Sequence, residues 1–177
     1  MHQNSMDLMT RLVTSYLDPK SKLSILDVGS RDVYAERGKK FKKLKYTNYK
    51  HLFNNPNWTY TGLDIESGPN VDLVVDTDYK WQNVGDEQYD VLISGQCFEH
   101  VEMPWRLVHQ MERVCKKGGI VAVIAPFFCK VHRHPVDCWR YLPDGMRALF
   151  TKEVNFKELE CDLSEYDSYF VGRKVSQ

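Results

Sequence analysis

The chain has 177 residues, and its 24 basic and 24 acidic side chains leave no net charge at neutral pH. That balance excludes a global field drawing it to nucleic acid or anionic membrane, and the length suits one domain that buries a sheet between helices without metals or disulfides. Five cysteines, Cys97, Cys115, Cys129, Cys138 and Cys161, never spaced C-x-x-C, together with a polar start and no apolar run near the ~20 residues of a membrane span, predict a soluble cytoplasmic protein.

In chain order, Met6, Met9, Leu12, Val13, Tyr16 and Leu17 recur at helical spacing, with Asn4 or Ser5 as N-cap and Pro19 as the stop. This predicts a leading helix within residues 1–18, ahead of a core spanning 22–174. Five short apolar runs follow: Ile25 to Val28, Tyr60 to Ile65, Val71 to Val75, Val91 to Ser94, and Ile120 to Ala125. Continuous apolarity over so few residues marks strands buried on both faces, as in a parallel sheet. Only Glu66 to Asn70 separate the second and third runs, too few for a crossover helix, so a parallel pairing there must run through a bare loop. Pro104 to Cys115 reads as a helix, with Lys116, Lys117 and Gly118-Gly119 as its C-terminal signals. A shorter helix starts at Pro143 and turns Met146, Leu149 and Phe150 inward. Leu159, Cys161 and Leu163 then alternate with charged residues, and Tyr169 and Val171 alternate again, which predicts an edge hairpin.

The predicted strands end on Asp27, Asp64, Asp76 and Ser94, with the turn residue Gly29 just beyond the first. Ligands of open α/β sheets sit at these carboxyl ends, and a carboxylate after the second strand is the group that accepts from ribose hydroxyls. Four segments carry a family resemblance: ILDVGSRD, YTGLDIESGPNVDLVVD, YDVLISGQCFEHVEMPWRLVHQMERVCKKGG and HRHPVDCWRYLPDGM. Over about residues 22–174 the sequence resembles small class I S-adenosylmethionine-dependent methyltransferases of the type 11 group. The resemblance implies a Rossmann-like, doubly wound α/β sheet, mostly parallel with an antiparallel C-terminal hairpin. The family's first motif is D-x-G-x-G-x-G, of which this chain keeps Asp27 and Gly29 but has Arg31 and Val33 at the later glycines. The loop must therefore take another route, or use Arg31 or Asp32 as a side-chain contact.

Carried over residue by residue, the resemblance implies an S-adenosylmethionine site. Asp27, Gly29, Ser30 and Arg31 would lie at its methionine end, Asp64 on the ribose, Ile65 on adenine, Asp76 and Thr77 at the adenine amino group, and Ser94 and Gln96 past the fourth strand, with Gln96 and Cys97 beside the sulfonium. His132 is the candidate catalytic base, since an acceptor hydroxyl or ammonium must lose a proton. His100, His134, Asp137, Trp139, Arg140 and Tyr141 are the candidate substrate-binding groups, although Asp137 and Arg140 would equally serve as an internal ion pair shaping their loop.

Cys129, His132, His134 and Cys138 have donor atoms and spacing that do not forbid zinc, but the similar loop in the family does not depend on cysteines, and no metal is expected. A basic stretch, Arg37, Lys39, Lys40, Lys42, Lys43, Lys45 and Lys50, interleaved with Phe41, Tyr46 and Tyr49, reads as a solvated face, in a lid or irregular first helix, rather than a nucleic-acid site. The reading that follows is methyl transfer from S-adenosylmethionine to an oxygen or nitrogen of a small molecule, such as a sugar or other metabolite, with neither nucleic acid nor membrane as partner. Its rival is a non-catalytic S-adenosylmethionine-binding subunit or scaffold, for which the missing glycines argue.

Overall fold

The computed structural model describes residues 3–36 and 46–175. Seven strands form one sheet: β1 (Leu23–Val28), β2 (Trp58–Asp64), β3 (Leu73–Val74), β4 (Tyr89–Gly95), β5 (Cys115–Pro126), β6 (Phe156–Ser164) and β7 (Asp167–Lys174). Their order is β3-β2-β1-β4-β5-β7-β6. Strands β1 to β5 pair in parallel, and β7 runs antiparallel to both β5 and β6. The β2-β3 pair is parallel through a helix-free loop, as the short connection requires.

The apolar runs are two-sided because successive side chains point to opposite faces. Ile25, Val91, Ile93, Ile120, Ala122, Ile124, Tyr169 and Val171 pack on one face with Met9 and Leu12 of α1 (Gln3–Tyr16). Their sequence neighbours Leu26, Leu92, Val121, Val123 and Phe170 pack on the other. There they meet Leu107, Val108 and Met111 of α3 (Pro104–Val114), and Met146 of α4 (Pro143–Arg147). A π-helical turn, Ala148–Glu153, continues α4 and buries Phe150. The short α2 (Val33–Glu36) follows the β1 loop.

Three expectations need correcting. Helix α1 already includes Asn4 and Ser5, so neither is its cap. Instead the Asn4 amide donates to Asp167, and the Ser5 hydroxyl bonds that of Tyr49, tying the helix to β7 and to the turn Lys50–Phe53. Helix α3 stops at Val114 and β5 begins at once, so Lys116 and Lys117 belong to the strand. Lys116 pairs with Asp90 of β4 at 2.8 Å, and Gly118 adopts φ +74° inside the register shift between β4 and β5. In β6 a second shift, between Glu158 and Glu160, inserts Leu159 and breaks the strict alternation; Leu159 and, near the strand's end, Leu163 are exposed while Phe156 is buried. Among the described residues no helix is long and apolar enough to cross a membrane.

Candidate active site

The chain runs from β1 outward to β2 and β3, then returns to place β4 on the other side of β1. Such a reversal of strand order opens a crevice at the carboxyl ends of the strands. Here it holds a cavity of about 390 Å³, lined among others by Gly29, Arg31, Asp64, Ile65, Asp78, Gln96, His100 and His134. That volume falls within the range of small-molecule and cofactor sites, roughly 300–1,000 Å³.

The β1 loop is shaped by a close approach. Gly29 sits at φ +75°, and a Cβ there would lie 2.3 Å from Cys97 Sγ, so no side chain fits. With Arg31 and Val33 in place of glycines, the loop is held by other means. The Arg31 backbone N–H donates to Asp64 Oδ2 at 3.0 Å, and the Glu66 N–H donates to Oδ1 at 3.2 Å. The Asp64 carboxylate is thus oriented by two amides on the cavity wall. The Arg31 guanidinium pairs with Glu66. Asp32 has another role: it accepts from the Tyr34 and Ala35 amides and from Thr47 and Asn48, which makes it the cap of α2 and an anchor for the segment at Thr47–Asn48.

A smaller pocket adjoins the cavity and shares Gly29, Arg31, Val33 and Gln96 with it, adding Asp27 and Ser30. Asp27 is 3 % exposed and accepts from the Tyr60 hydroxyl. Burial pushes its pKa up to about 7, with the nearby Asp64 charge adding to the rise. Asn70 donates to the Ser30 carbonyl and to Tyr60, and Ser30 donates back to the Asn70 carbonyl, so the β1 and β2 loops are laced together.

The family model described as methyltransferase domain matches residues 47–123, from the approach to β2 into β5. Among solved structures, the chain is similar over 98% of its length to 90% of the methyltransferase bound to the Trm112 activator of Haloferax volcanii, at 14% identity and a TM-score of 0.67. It is similar over 97% of its length to 79% of 1,6-didemethyltoxoflavin-N1-methyltransferase of Burkholderia thailandensis, with bound S-adenosylhomocysteine, at 12% identity and a TM-score of 0.67. A SAM-dependent methyltransferase of Aquifex aeolicus matches over its entire 100% and over 99% of this chain, at 13% identity and a TM-score of 0.64. No curated protein matches in sequence. The fold is that of class I methyltransferases, and residues 47–123 match the methyltransferase domain model. The residues present suit S-adenosylmethionine: an amide-oriented carboxylate on the cavity wall, and a loop in which only glycine fits beside Cys97.

Within this methyltransferase domain the expected residues divide. Gly29, Arg31, Asp64, Ile65, Gln96, His100 and His134 line the main cavity, and Asp27 and Ser30 the smaller one. Asp76 and Thr77 line neither pocket. They are exposed past the end of β3, and Asp78 is the acid that reaches the cavity wall. Burial and the charges of Asp64 and Glu102 raise Asp78 to about 6. Ser94 is fully buried and donates to the Val28 carbonyl at 2.8 Å, a tie between β4 and β1 rather than a ligand contact. Cys97 lines the cavity, and burial holds its thiol well above the ordinary range, so it is no thiolate nucleophile.

The loop after β5 shows the same division. Asp137 binds Arg140 through both oxygens, at 2.6 and 2.9 Å, and accepts the His132 amide at 2.7 Å. The Arg140 guanidinium accordingly holds the Asp137 carboxyl well below the usual carboxylate range. Trp139 donates its indole N–H to the Val101 carbonyl, and the buried Tyr141 donates to that of Phe98. None of these four lines the cavity; they fasten the loop to its surroundings. With His100 from the turn after β4, the loop's His132 and His134 form a group of three imidazoles, with ring centroids 5.0 Å apart for His100–His132 and 5.4 Å for His100–His134; His132 itself lines neither pocket. His132 lies beside Glu99, and that carboxylate and the Lys130 carbonyl raise its pKa. Cys129 and Cys138 are exposed, with Cys129 Sγ 3.7 Å from His132 Nδ1.

Sequence reasoning passed over Asp78, Asn70 and Tyr60, whereas the Glu99-His100 pair stood out as a feature of the fourth strand's end. The basic stretch from Arg37 to Lys45 lies outside the described residues.

Proposed function

We propose that this methyltransferase domain moves the methyl group of S-adenosylmethionine to an oxygen or nitrogen of a small-molecule acceptor, with His132 taking the acceptor's proton. The observation that carries the reading is the amide-oriented Asp64 carboxylate in the lining of a cavity that His100 and His134 also line. When bound, the cofactor supplies an electrophilic methyl on a sulfonium. Asp64 accepts from the ribose hydroxyls, two charge-assisted bonds to one oriented group. Ile65, half exposed at the cavity wall, packs on the adenine, and Asp78 replaces Asp76 and Thr77 as the polar group at that end. Gly29, Asp27 and Gln96 border the smaller pocket that takes the methionine end.

Displacement at a sulfonium is in line, so much of the rate comes from holding the acceptor atom behind the methyl group. His100 and His134 sit where an acceptor enters. His132, beside them and about one third exposed, keeps access to solvent for the proton it removes. An acceptor hydroxyl or ammonium loses its proton to the imidazole as the new bond to carbon forms, and the sulfonium becomes a neutral thioether.

Labelled-methyl transfer from S-adenosylmethionine into a metabolite extract tests the reading. Transfer should occur with the wild type and fall by about a hundredfold or more in His132→Ala, with cofactor affinity unchanged. Stabilisation by the cofactor without any transfer would instead favour the non-catalytic subunit. Equal transfer by the variant would remove His132 from the mechanism.

A further inference from the structure

We propose that Glu99, His100 and His132 form a binding site for one divalent first-row transition-metal ion, bordering the cofactor cavity. The turn Phe98–His100 follows β4 and presents Glu99 and His100 side by side. The Glu99 carbonyl accepts the amides of Cys138 at 2.7 Å and Trp139 at 3.2 Å, and this pins the His132 loop against the turn.

Glu99 is 0 % exposed, and neither of its carboxylate oxygens has a hydrogen-bond partner. His100 Nδ1 lies 2.7 Å from the Val136 carbonyl, and His132 Nδ1 lies 3.0 Å from the Lys130 carbonyl. A carbonyl only accepts, so each Nδ1 carries the hydrogen, and in the neutral rings each Nε2 is a bare lone pair. Those Nε2 atoms face Glu99 Oε1 at 3.7 and 3.8 Å, and the three donor atoms lie within 4.8 Å of one another. Three acceptors therefore converge where a buried carboxylate needs a compensating charge.

The separations favour an ion over a shared proton. At 3.7 and 3.8 Å they exceed a hydrogen bond, which needs about 2.7–3.2 Å. Two ligands of a tetrahedral ion at 2.0–2.2 Å stand about 3.4 Å apart, only a few tenths of an ångström less. Two imidazoles and a carboxylate, each ring held by its second nitrogen on a backbone carbonyl, are the donors and outer contacts of a three-ligand site with an open position. This set differs from Cys129, His132, His134 and Cys138, and it departs from the expectation of no metal. An ion at His132 Nε2 excludes the acceptor's proton from that atom, so the two are alternative occupants. Binding itself does not depend on methyl transfer.

Full-length protein equilibrated with zinc chloride near neutral pH and dialysed against metal-free buffer provides the test. The expected result is one zinc per chain in the wild type and in His109→Ala, whose imidazole sits apart on α3 against Glu153. Glu99→Gln and His132→Ala should each retain at most about a tenth as much. Cobalt(II) titration should likewise give a visible band of tetrahedral intensity in the wild type that is absent from His132→Ala. No zinc in the wild type, or equal zinc in the wild type and both site variants, overturns the proposal.

Discussion

Asp64 is the residue on which cofactor affinity turns. Both of its oxygens are already aligned by backbone amides, so the carboxylate is oriented before any ligand binds. Charge-assisted hydrogen bonds contribute about 1.5–3 kcal/mol each, and losing two predicts that Asp64→Ala binds S-adenosylhomocysteine about a hundredfold or more weakly in calorimetry. Asp27 makes a prediction about pH. Its carboxyl ordinarily titrates at 3.8 and is raised to about 7 in the fold, so between those values the native state holds a proton that the unfolded chain has lost. The associated stability is complete below the lower value and disappears as pH rises through the upper one. Denaturation followed from about pH 5 to about pH 8 should show the wild type losing up to about 1.4 kcal/mol per pH unit from this group, with a flatter profile for Asp27→Asn.

At the scale of elements, the β1 loop works only because Gly29 lets it touch Cys97. Gly29 and Gly118 both have left-handed φ, but a Cβ at Gly118 would meet open space whereas one at Gly29 would meet Cys97. Alanine at either pays roughly 1–2 kcal/mol of conformational cost, and only Gly29→Ala adds a clash. Thermal melts should therefore show Gly118→Ala a few degrees below the wild type, and Gly29→Ala lower still, with cofactor affinity lost in the latter alone. The strands were legible because buried parallel strands are continuous apolar runs, and Asp27, Gly29 and Asp64 were legible because they stand where such runs end. The misplacements share one cause, backbone irregularity that side-chain patterns do not encode. β3 pairs through only Leu73 and Val74, and the chain then turns at the Thr77–Lys80 bridge, which brings Asp78 to the cavity instead of Asp76. The register shift in β6 likewise makes Leu159 an inserted residue between Glu158 and Glu160, which its alternation with charged neighbours does not reveal. Asp137 and Arg140 offered two readings of equal standing, and only distances separate an internal ion pair from a substrate clamp.

For the molecule as a whole, two apolar layers hold the sheet edges in the positions the cavity needs. Phe170 joins the antiparallel hairpin to the layer over β4 and β5, stacking on Phe150 at 4.8 Å between ring centroids. Phe170→Ala should cost about 3–5 kcal/mol in denaturant unfolding. The same architecture lines one crevice with the Asp64 carboxylate and the imidazoles of His100 and His134, parts that are far apart in the chain and meet through the strand order. The most direct measurement is the crystal structure of the protein with S-adenosylhomocysteine. The account predicts both ribose hydroxyls within hydrogen-bond distance of the Asp64 carboxylate and the thioether end toward Gly29 and Gln96. A nucleoside bound away from Asp64, or a cavity that excludes it, would contradict the account.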